Sequence, residues 1–163
     1  MSEIANENMQ RFMMAQGGAP FFGALGASVV EAVPGRSLMR LPYAAHIVGN
    51  PDTGVVHGGV ISGLLDHACG MAVGSALGAL SATPGAMRGI ATLDLRIDYM
   101  KAAKPGTDIF VIGECVKITR QIVFARGRAY QDAEDNVIAS AVGTFIITEL
   151  RSGGIITEPR AGS

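Results

Sequence analysis

One acidic side chain lies in an apolar, glycine-rich segment that begins at His57. The segment from His57 to Asp66 reads H-G-G-V-I-S-G-L-L-D, and Asp66 is its only acidic residue. Placing a carboxylate in apolar surroundings costs several kcal/mol unless the charge is compensated. Asp66 is therefore a candidate general base, because the flanking apolar side chains would desolvate its carboxylate.

The two glycines after His57 are expected to open a helix. The first N–H groups of a helix have no intrahelical acceptor, and the helix dipole favours negative charge there. Gly58 is thus a candidate oxyanion-hole donor to a carbonyl oxygen that gains charge. Glycines at this place also serve tight turns or close packing, which taken alone is the more ordinary explanation. His57 could orient a substrate, cap the helix or hydrogen-bond a neighbouring loop.

The polar residues around this segment leave further alternatives open. Asp66 could instead cap another backbone segment or form a salt bridge with Arg96 on a later strand. Asn50, in N-P-D-T-G, could donate a hydrogen bond to water or to a thioester, but this composition favours a turn residue. On a helix, the face of Asp66 carries only small neighbours, which would leave a groove open to a ligand: Ser62, Gly63, Cys69 and Gly70.

A long helix is predicted at about 58–80, and it must position these residues. It contains five glycines after Gly58, each of which costs about 1 kcal/mol relative to alanine in a helix interior. Such a helix needs close backbone packing, which a curved sheet wrapped around it would supply. A second helix is predicted over 3–16 from the apolar periodicity.

Strands are predicted on both sides of the long helix, at 25–32, 37–42, 92–100, 108–118, 122–131 and 137–148. Because the last four follow one another through short connections, they predict an antiparallel meander. In the strand 92–100, the alternation places Leu93, Leu95, Ile97 and Tyr99 on one face and Thr92, Asp94, Arg96 and Asp98 on the other. The plan is an α+β architecture.

The bulk composition limits the classes of function. The 163 residues are 48% hydrophobic and 17% charged, which predicts one globular domain. A net charge of −1 gives no general attraction to nucleic acid, and Asp66 and His67 argue against a membrane span in the apolar stretch 60–82. The two cysteines, Cys69 and Cys115, suggest neither a metal site nor a disulfide framework. No metal or cofactor is therefore expected, and the cytoplasm is the expected location.

Together these features resemble a known family. The order of elements, Asn50 followed by His57-Gly58-Gly59 and Asp66, and the later T-L-D-L-R-I-D-Y-M-K-A-A-K-P-G resemble the hotdog-fold acyl-CoA thioesterases. The pattern looks closest to the phenylacetate-degradation (PaaI-like) branch of the hydroxybenzoyl-CoA thioesterase superfamily. The resemblance implies a hotdog domain over 21–150, in which a sheet of five to six strands wraps the helix. Residues 1–20 would then be an N-terminal helix and linker, and 151–163 a tail.

The resemblance also implies the roles of the site residues. Asp66 of one subunit would act as general base or nucleophile on an acyl-CoA thioester, opposite Asn50, His57 and Gly58 of a second subunit. Gly58 would polarise the thioester carbonyl and Asn50 would help to hold the water. Thr92 matches a position at which a hydroxyl often assists. A homodimer or a tetramer of paired dimers is implied, with the CoA moiety as part of the substrate.

Two other functions remain possible from the sequence. One is a hotdog protein that binds acyl-CoA without catalysis, and the other is a hotdog enoyl-CoA hydratase. The sequence does not specify the acyl group of the substrate, because it does not show which way the side chains of Met71, Val73 and Leu77 point.

Overall fold

The computed structural model describes residues 20–80 and 89–148, so the predicted helix over 3–16 and the tail over 151–163 lie outside it. The elements in chain order are α1 (Pro20–Leu25), β1 (Ser28–Val33), β2 (Arg36–Leu41), a 3₁₀ turn (Ala45–Ile47), β3 (Val48–Asn50), β4 (Val55–Val56), α2 (Gly58–Leu80), β5 (Gly89–Tyr99), β6 (Ile109–Ile118), β7 (Ile122–Tyr130) and β8 (Val137–Thr148).

A six-stranded antiparallel sheet is built in the order β1-β2-β6-β7-β8-β5. The predicted six strands and α+β class are confirmed, but the four-strand meander is wrong, because β5 pairs with β8 rather than with β6. Residues 100–108 connect β5 to β6, and these two strands lie three strand spacings apart in the sheet. That distance is about 14 Å, well within the reach of nine residues. The strand β5 therefore forms an edge of the sheet.

The long helix α2 has the predicted bounds and lies against the inner face of this sheet. Its apolar character on all sides is explained by burial, as is usual for a core helix. It is also long and apolar enough to cross a membrane by composition, but 61% of that window is buried within the fold. The fully buried residues along it pack against the inward side chains of the strands: Leu64, Leu65, Ala68, Cys69, Ala72 and Val73.

The backbone of α2 approaches the sheet closely in the middle of the helix. A Cβ atom added to Gly113 on β6 would overlap the carbonyl group of Ala68. Ser37 on β2 donates a hydrogen bond of 2.7 Å to that same Ala68 carbonyl oxygen, and its side chain is fully buried. The predicted close packing is thus present, and at this point a glycine of the sheet makes it possible.

The first predicted strand begins later than expected. Leu25 ends α1, and Gly26, with φ of +76°, separates that helix from β1. Residues 43–56, between β2 and α2, contain the 3₁₀ turn and the two-stranded sheet of β3 and β4. The small sheet leads the chain directly into α2 and so fixes where His57 lies.

Candidate active site

Asp66 lies on the side of α2 that faces β5. Its carboxylate oxygen Oδ1 accepts a hydrogen bond of 2.8 Å from the hydroxyl of Thr92. The predicted alternative of a salt bridge to Arg96 is wrong, since Arg96 pairs with Asp98 at 2.9 Å on the exposed side of the strand. One carboxylate oxygen of Asp66 is therefore held by a neutral donor.

A β-bulge in β5 brings Thr92 to the helix. Thr92 pairs with Phe145 of β8 and Asp94 pairs with the preceding residue of β8, so Leu93 is the extra residue. The prediction that Leu93 shares the inward face with Leu95 is wrong, because the bulge reverses the alternation there. Leu93 is 55% exposed, while Leu95 packs against the core.

A small cavity of about 130 Å³ opens beside the Asp66 carboxylate. Its walls combine this polar pair with residues from α2, β5 and β8: His67, Gly70, Met71, Ile90 and Phe145. The sequence did not show which of three helix residues would line an acyl pocket. In the structure Met71 lines this cavity, whereas Val73 and Leu77 belong to the core.

The predicted groove of small residues beside Asp66 is open only in part. A Cβ atom on Gly63 would lie 3.1 Å from the ring of Phe21 in α1, so that ring covers this stretch of the helix. Cys69 is fully buried, close to Gly127 of β7. Gly70 remains on the cavity wall. A ligand that approaches Asp66 must therefore enter from the side of Gly70 and β5.

His57 caps the start of α2. Its ring nitrogen Nδ1 accepts a hydrogen bond of 2.9 Å from the backbone N–H of Gly59. Its own backbone N–H donates to the carbonyl oxygen of Ile47 at 2.9 Å, which anchors the residue before the helix. Of the roles that the sequence left open for the His57 side chain, the structure shows the helix cap.

Gly58 is the first residue of α2, and its N–H group is therefore outside the intrahelical hydrogen-bond ladder. Within residues 20–80 and 89–148, no hydrogen-bond acceptor is recorded for this N–H. The neighbouring Gly59 N–H is already engaged by His57. Gly58 is thus the residue at this helix start whose N–H can still bind an external oxygen atom.

Gly58 and Asp66 are too far apart to act on the same carbonyl group within one chain. They are eight residues apart on one helix, which corresponds to about 12 Å along the helix axis. An oxyanion donor and a base acting through one water molecule must both lie within a few ångström of the reacting carbon. The two groups can cooperate only if a second chain supplies one of them.

Asn50 occupies the turn between β3 and β4. Its side-chain oxygen accepts a hydrogen bond of 3.0 Å from the backbone N–H of Asp52, and its carbonyl oxygen accepts from Gly54 at 2.8 Å. The turn role that composition favoured is present, and the side-chain amide nitrogen stays available for another acceptor. The adjacent Gly49 is pressed against His57, since a Cβ there would lie 2.8 Å from the His57 Cα.

A second cavity, of about 310 Å³, lies at the start of α2. It is lined by Gly58 and Ile61 of the helix, by Val55 and Val56 of β4, and by the residues from Tyr99 to Ala103. The two cavities therefore border opposite ends of β5, one beside Asp66 and one beside Gly58.

Two other potentially reactive side chains near Asp66, those of Cys69 and His67, are packed against their neighbours. Burial and the nearby Asp66 charge raise the pKa of the Cys69 thiol to about 12, so Cys69 stays protonated and is a poor nucleophile. The ring of His67 stacks on Phe22, with centroids 3.6 Å apart. Among the described residues, no group of three His, Cys, Asp or Glu side chains is placed to hold a metal ion.

Two arginines of β7 form ion pairs with nearby glutamates. Arg126 pairs with Glu114 at 2.7 Å, and Arg128 pairs with Glu134 at 2.8 Å. Lys101, in contrast, lines the cavity at the helix start and hydrogen-bonds the side chain of Asn136.

The sequence did not identify Tyr99 as part of the site, and it placed Ser62 only in the groove beside Asp66. The Tyr99 hydroxyl lies 2.8 Å from the Gly58 carbonyl oxygen and 2.6 Å from the Ser62 hydroxyl. Tyr99 looked like one more apolar residue in an alternating strand, and no local signal distinguishes it from a core tyrosine. Only the tertiary contact between the end of β5 and the start of α2 reveals it.

Comparison with known proteins agrees with this architecture. Residues 53–138 match the family model of the thioesterase superfamily, so the chain belongs to that superfamily. A Halobacterium salinarum protein named "Putative esterase" is 32% identical over 126 residues, which cover 74% of this chain and 80% of the relative. The hydrolase class and the predicted hotdog fold are thereby confirmed.

Solved structures show the same fold. A Pseudomonas aeruginosa protein is 38% identical, with a TM-score of 0.67, over 87% of this chain and 98% of its own. The phenylacetic acid degradation protein PaaI from Thermus thermophilus, in the structure of a point mutant, is 23% identical, with a TM-score of 0.65. That match covers 78% of this chain and 97% of PaaI.

Proposed function

We propose that this protein hydrolyses acyl-CoA thioesters, with a site shared between two subunits. The observation that carries the proposal is the Asp66 carboxylate, which is oriented by Thr92 and opens into a cavity at the β5 edge. Membership of the thioesterase superfamily supports a thioester substrate, and the acyl-CoA class is what the sequence resemblance implies. The chemical requirements of thioester hydrolysis are a base for water and a donor for the developing oxyanion, and both are available here.

In the proposed reaction, Asp66 accepts a proton from a water molecule as the water oxygen attacks the thioester carbonyl carbon. The Gly58 N–H of the second subunit stabilises the oxyanion that forms, and the Nε2–H of His57 is assigned as a second donor. Collapse of the tetrahedral intermediate breaks the carbon–sulfur bond. The CoA thiolate leaves and takes up the proton, which gives the free acid and CoA. Direct attack by Asp66 through an anhydride is the other route open to the same carboxylate.

Thr92 and Asn50 have supporting roles in this proposal. Thr92 occupies one carboxylate oxygen of Asp66 and so directs the other toward the water. Asn50 already has its side-chain oxygen engaged by the turn. Its amide nitrogen can therefore donate a hydrogen bond to water or to the thioester, which is the role the resemblance assigns to it.

The edge strand β5 is the proposed dimer contact. It pairs with β8 on one side, and none of the described strands lies along its other side. If two β5 strands pair antiparallel about a two-fold axis near Leu95, position 92 of one strand lies near position 99 of the other. The Asp66 cavity of each subunit then meets the Gly58 cavity of its partner, which overcomes the separation along the helix. Two such dimers would form the proposed tetramer.

The experiment is a thiol-release assay on a panel of short-chain, medium-chain and phenylacetyl CoA thioesters. We expect hydrolysis by the wild type and loss of turnover in Asp66→Asn, whose side chain still accepts from Thr92. Glu134→Gln is the matched control, because it removes one negative charge from an exposed ion pair away from β5. Binding of acyl-CoA without thiol release would favour the non-catalytic binding protein, and hydration of an enoyl-CoA would favour the hydratase. Either result would contradict the proposal.

A further inference from the structure

Three oxygen atoms form a compact cluster at the start of α2. The Tyr99 hydroxyl lies 2.8 Å from the carbonyl oxygen of Gly58, and the Ser62 hydroxyl lies 3.1 Å from the same carbonyl oxygen. The two hydroxyl oxygens are 2.6 Å apart. This cluster joins the last residue of β5 to the first turn of α2.

The number of protons in this cluster limits its hydrogen bonds. Two hydroxyl groups bring two protons to three short contacts. One hydroxyl therefore donates to the Gly58 carbonyl oxygen, while the other donates to the first hydroxyl. If either hydroxyl is removed, the remaining one can still donate to the carbonyl oxygen. Only the loss of both leaves this carbonyl oxygen without a hydroxyl donor.

The Gly58 carbonyl belongs to the same planar peptide unit as the Gly59 N–H. That N–H donates to Nδ1 of His57 at 2.9 Å. Because Nδ1 accepts this bond, the neutral imidazole carries its proton on Nε2. A continuous chain therefore runs from the hydroxyl pair through one peptide unit to His57, and each bond in such a chain polarises the next.

We propose that Tyr99 and Ser62 are positioning residues for the oxyanion-binding end of the active site. They hold the Gly58–Gly59 peptide in one orientation, which fixes the Nε2–H tautomer of His57. This inference rests on the proposed function for its catalytic meaning, but the tie to His57 exists independently of any substrate.

The surroundings of Tyr99 favour this role over a purely structural one. Tyr99 is 51% exposed, so its ring contributes less to the core than a buried tyrosine would. The ring instead borders the cavity at the helix start, where a Cβ atom on Gly58 would lie 3.5 Å from the Tyr99 hydroxyl. The hydroxyl is thus placed at the point where the proposed oxyanion donor meets the cavity.

The test compares Tyr99→Phe, Ser62→Ala and the double variant with the wild type. Tyr130→Phe is the matched control, since Tyr130 stacks on Phe110 at a distance from the helix start. The tautomer of His57 is read from imidazole ¹⁵N chemical shifts, which is practical because the chain contains three histidines. The kinetic constants kcat and KM are measured with the best acyl-CoA of the panel, and folding is followed by circular dichroism.

We expect each single variant to lose a few-fold in kcat and the double variant to lose about tenfold or more, exceeding the product of the two single effects. KM should stay within about twofold of the wild-type value because substrate contacts are retained. The His57 signals of the double variant should move from the Nε2–H tautomer toward a mixture. Tyr130→Phe should match the wild type in every measurement.

Unchanged His57 nitrogen shifts in the folded double variant would overturn the inference, as would single losses that simply multiply. If the double variant does not fold, the two single variants decide, because kcat values equal to that of the wild type in both would overturn the inference. If the wild type releases no thiol from any acyl-CoA, the proposed function fails. The nitrogen spectra would still show whether the hydroxyl pair governs His57, so the two failures are distinguishable.

Discussion

The backbone N–H group of Gly58 can be removed by a single substitution that leaves the helix intact. Proline has no N–H group, and it is favoured at the first position of a helix, where that group has no intrahelical acceptor. Gly58 is that first residue of α2. The substitution Gly58→Pro therefore removes the proposed oxyanion donor and breaks no hydrogen bond within the helix.

The matched variant is Gly58→Ala, which keeps the N–H group. A Cβ atom at this position would meet Tyr99 atoms at 3.5–3.7 Å, which is ordinary van der Waals contact. Replacing glycine by alanine or proline at a compatible position changes stability by about 0.4–1 kcal/mol, mainly through the unfolded chain. Both variants should therefore fold, with similar free energies of unfolding.

The expected difference between the two variants lies in kcat. Loss of one oxyanion-hole donor lowers kcat by about 10²–10³-fold. Gly58→Pro should show a loss of that order relative to Gly58→Ala in the thiol-release assay, with KM changed far less. Equal kcat values for two folded variants would refute the assignment of Gly58 as the oxyanion donor.

Three further predictions concern other contacts of the site and the core. Thr92→Val should lower kcat about tenfold, by loss of one hydrogen bond to the Asp66 carboxylate, while Thr92→Ser should retain most of it; equal rates in the thiol-release assay would exclude an orienting role. Gly113→Ala should cost about 3 kcal/mol or more in urea unfolding because the helix backbone blocks the new Cβ, whereas Gly23→Ala, with open space around it, should not. Because the pKa of Cys69 is raised from 9.0 to about 12, the unfolded chain loses this proton first as the pH rises. Cys69 should then lower the free energy of unfolding by up to about 1.4 kcal/mol per pH unit between those values, and Cys69→Ala should show a shallower slope than the wild type.

The long helix and the strand positions could be predicted because their signals are local. The pair of glycines after His57 and the breakers near Pro84 delimit α2 in the sequence, and the polar turn at 132–136 delimits the start of the strand β8. The candidate Asp66 was also accessible from the sequence, because an isolated acid in an apolar segment is unusual.

The partner of each strand and the facing of β5 could not be predicted in the same way. Pairing of β5 with β8 depends on a chain crossing that leaves no periodic trace. The residue types of β5 alternate regularly along the sequence, but the bulge at Leu93 exchanges the two faces of the strand for the residues before it. An assisting role for Thr92 was therefore expected from family resemblance alone, without its contact to Asp66, and the contact of Tyr99 with Gly58 was not expected at all.

The central claim is a site composed of Asp66 from one subunit and Gly58 from another, and mixing two inactive variants tests it most directly. Asp66→Asn and Gly58→Pro chains are unfolded together at equal concentration, refolded, and compared with each variant alone. In a mixed dimer, one of the two sites combines an intact Asp66 with an intact Gly58.

Since half of the dimers in a random mixture are mixed, the account predicts recovery of about one quarter of the wild-type activity. Native mass spectrometry of the same sample confirms that mixed dimers have formed. Activity no higher than that of the separate variants, in a sample shown to contain mixed dimers, would contradict a site shared between two chains.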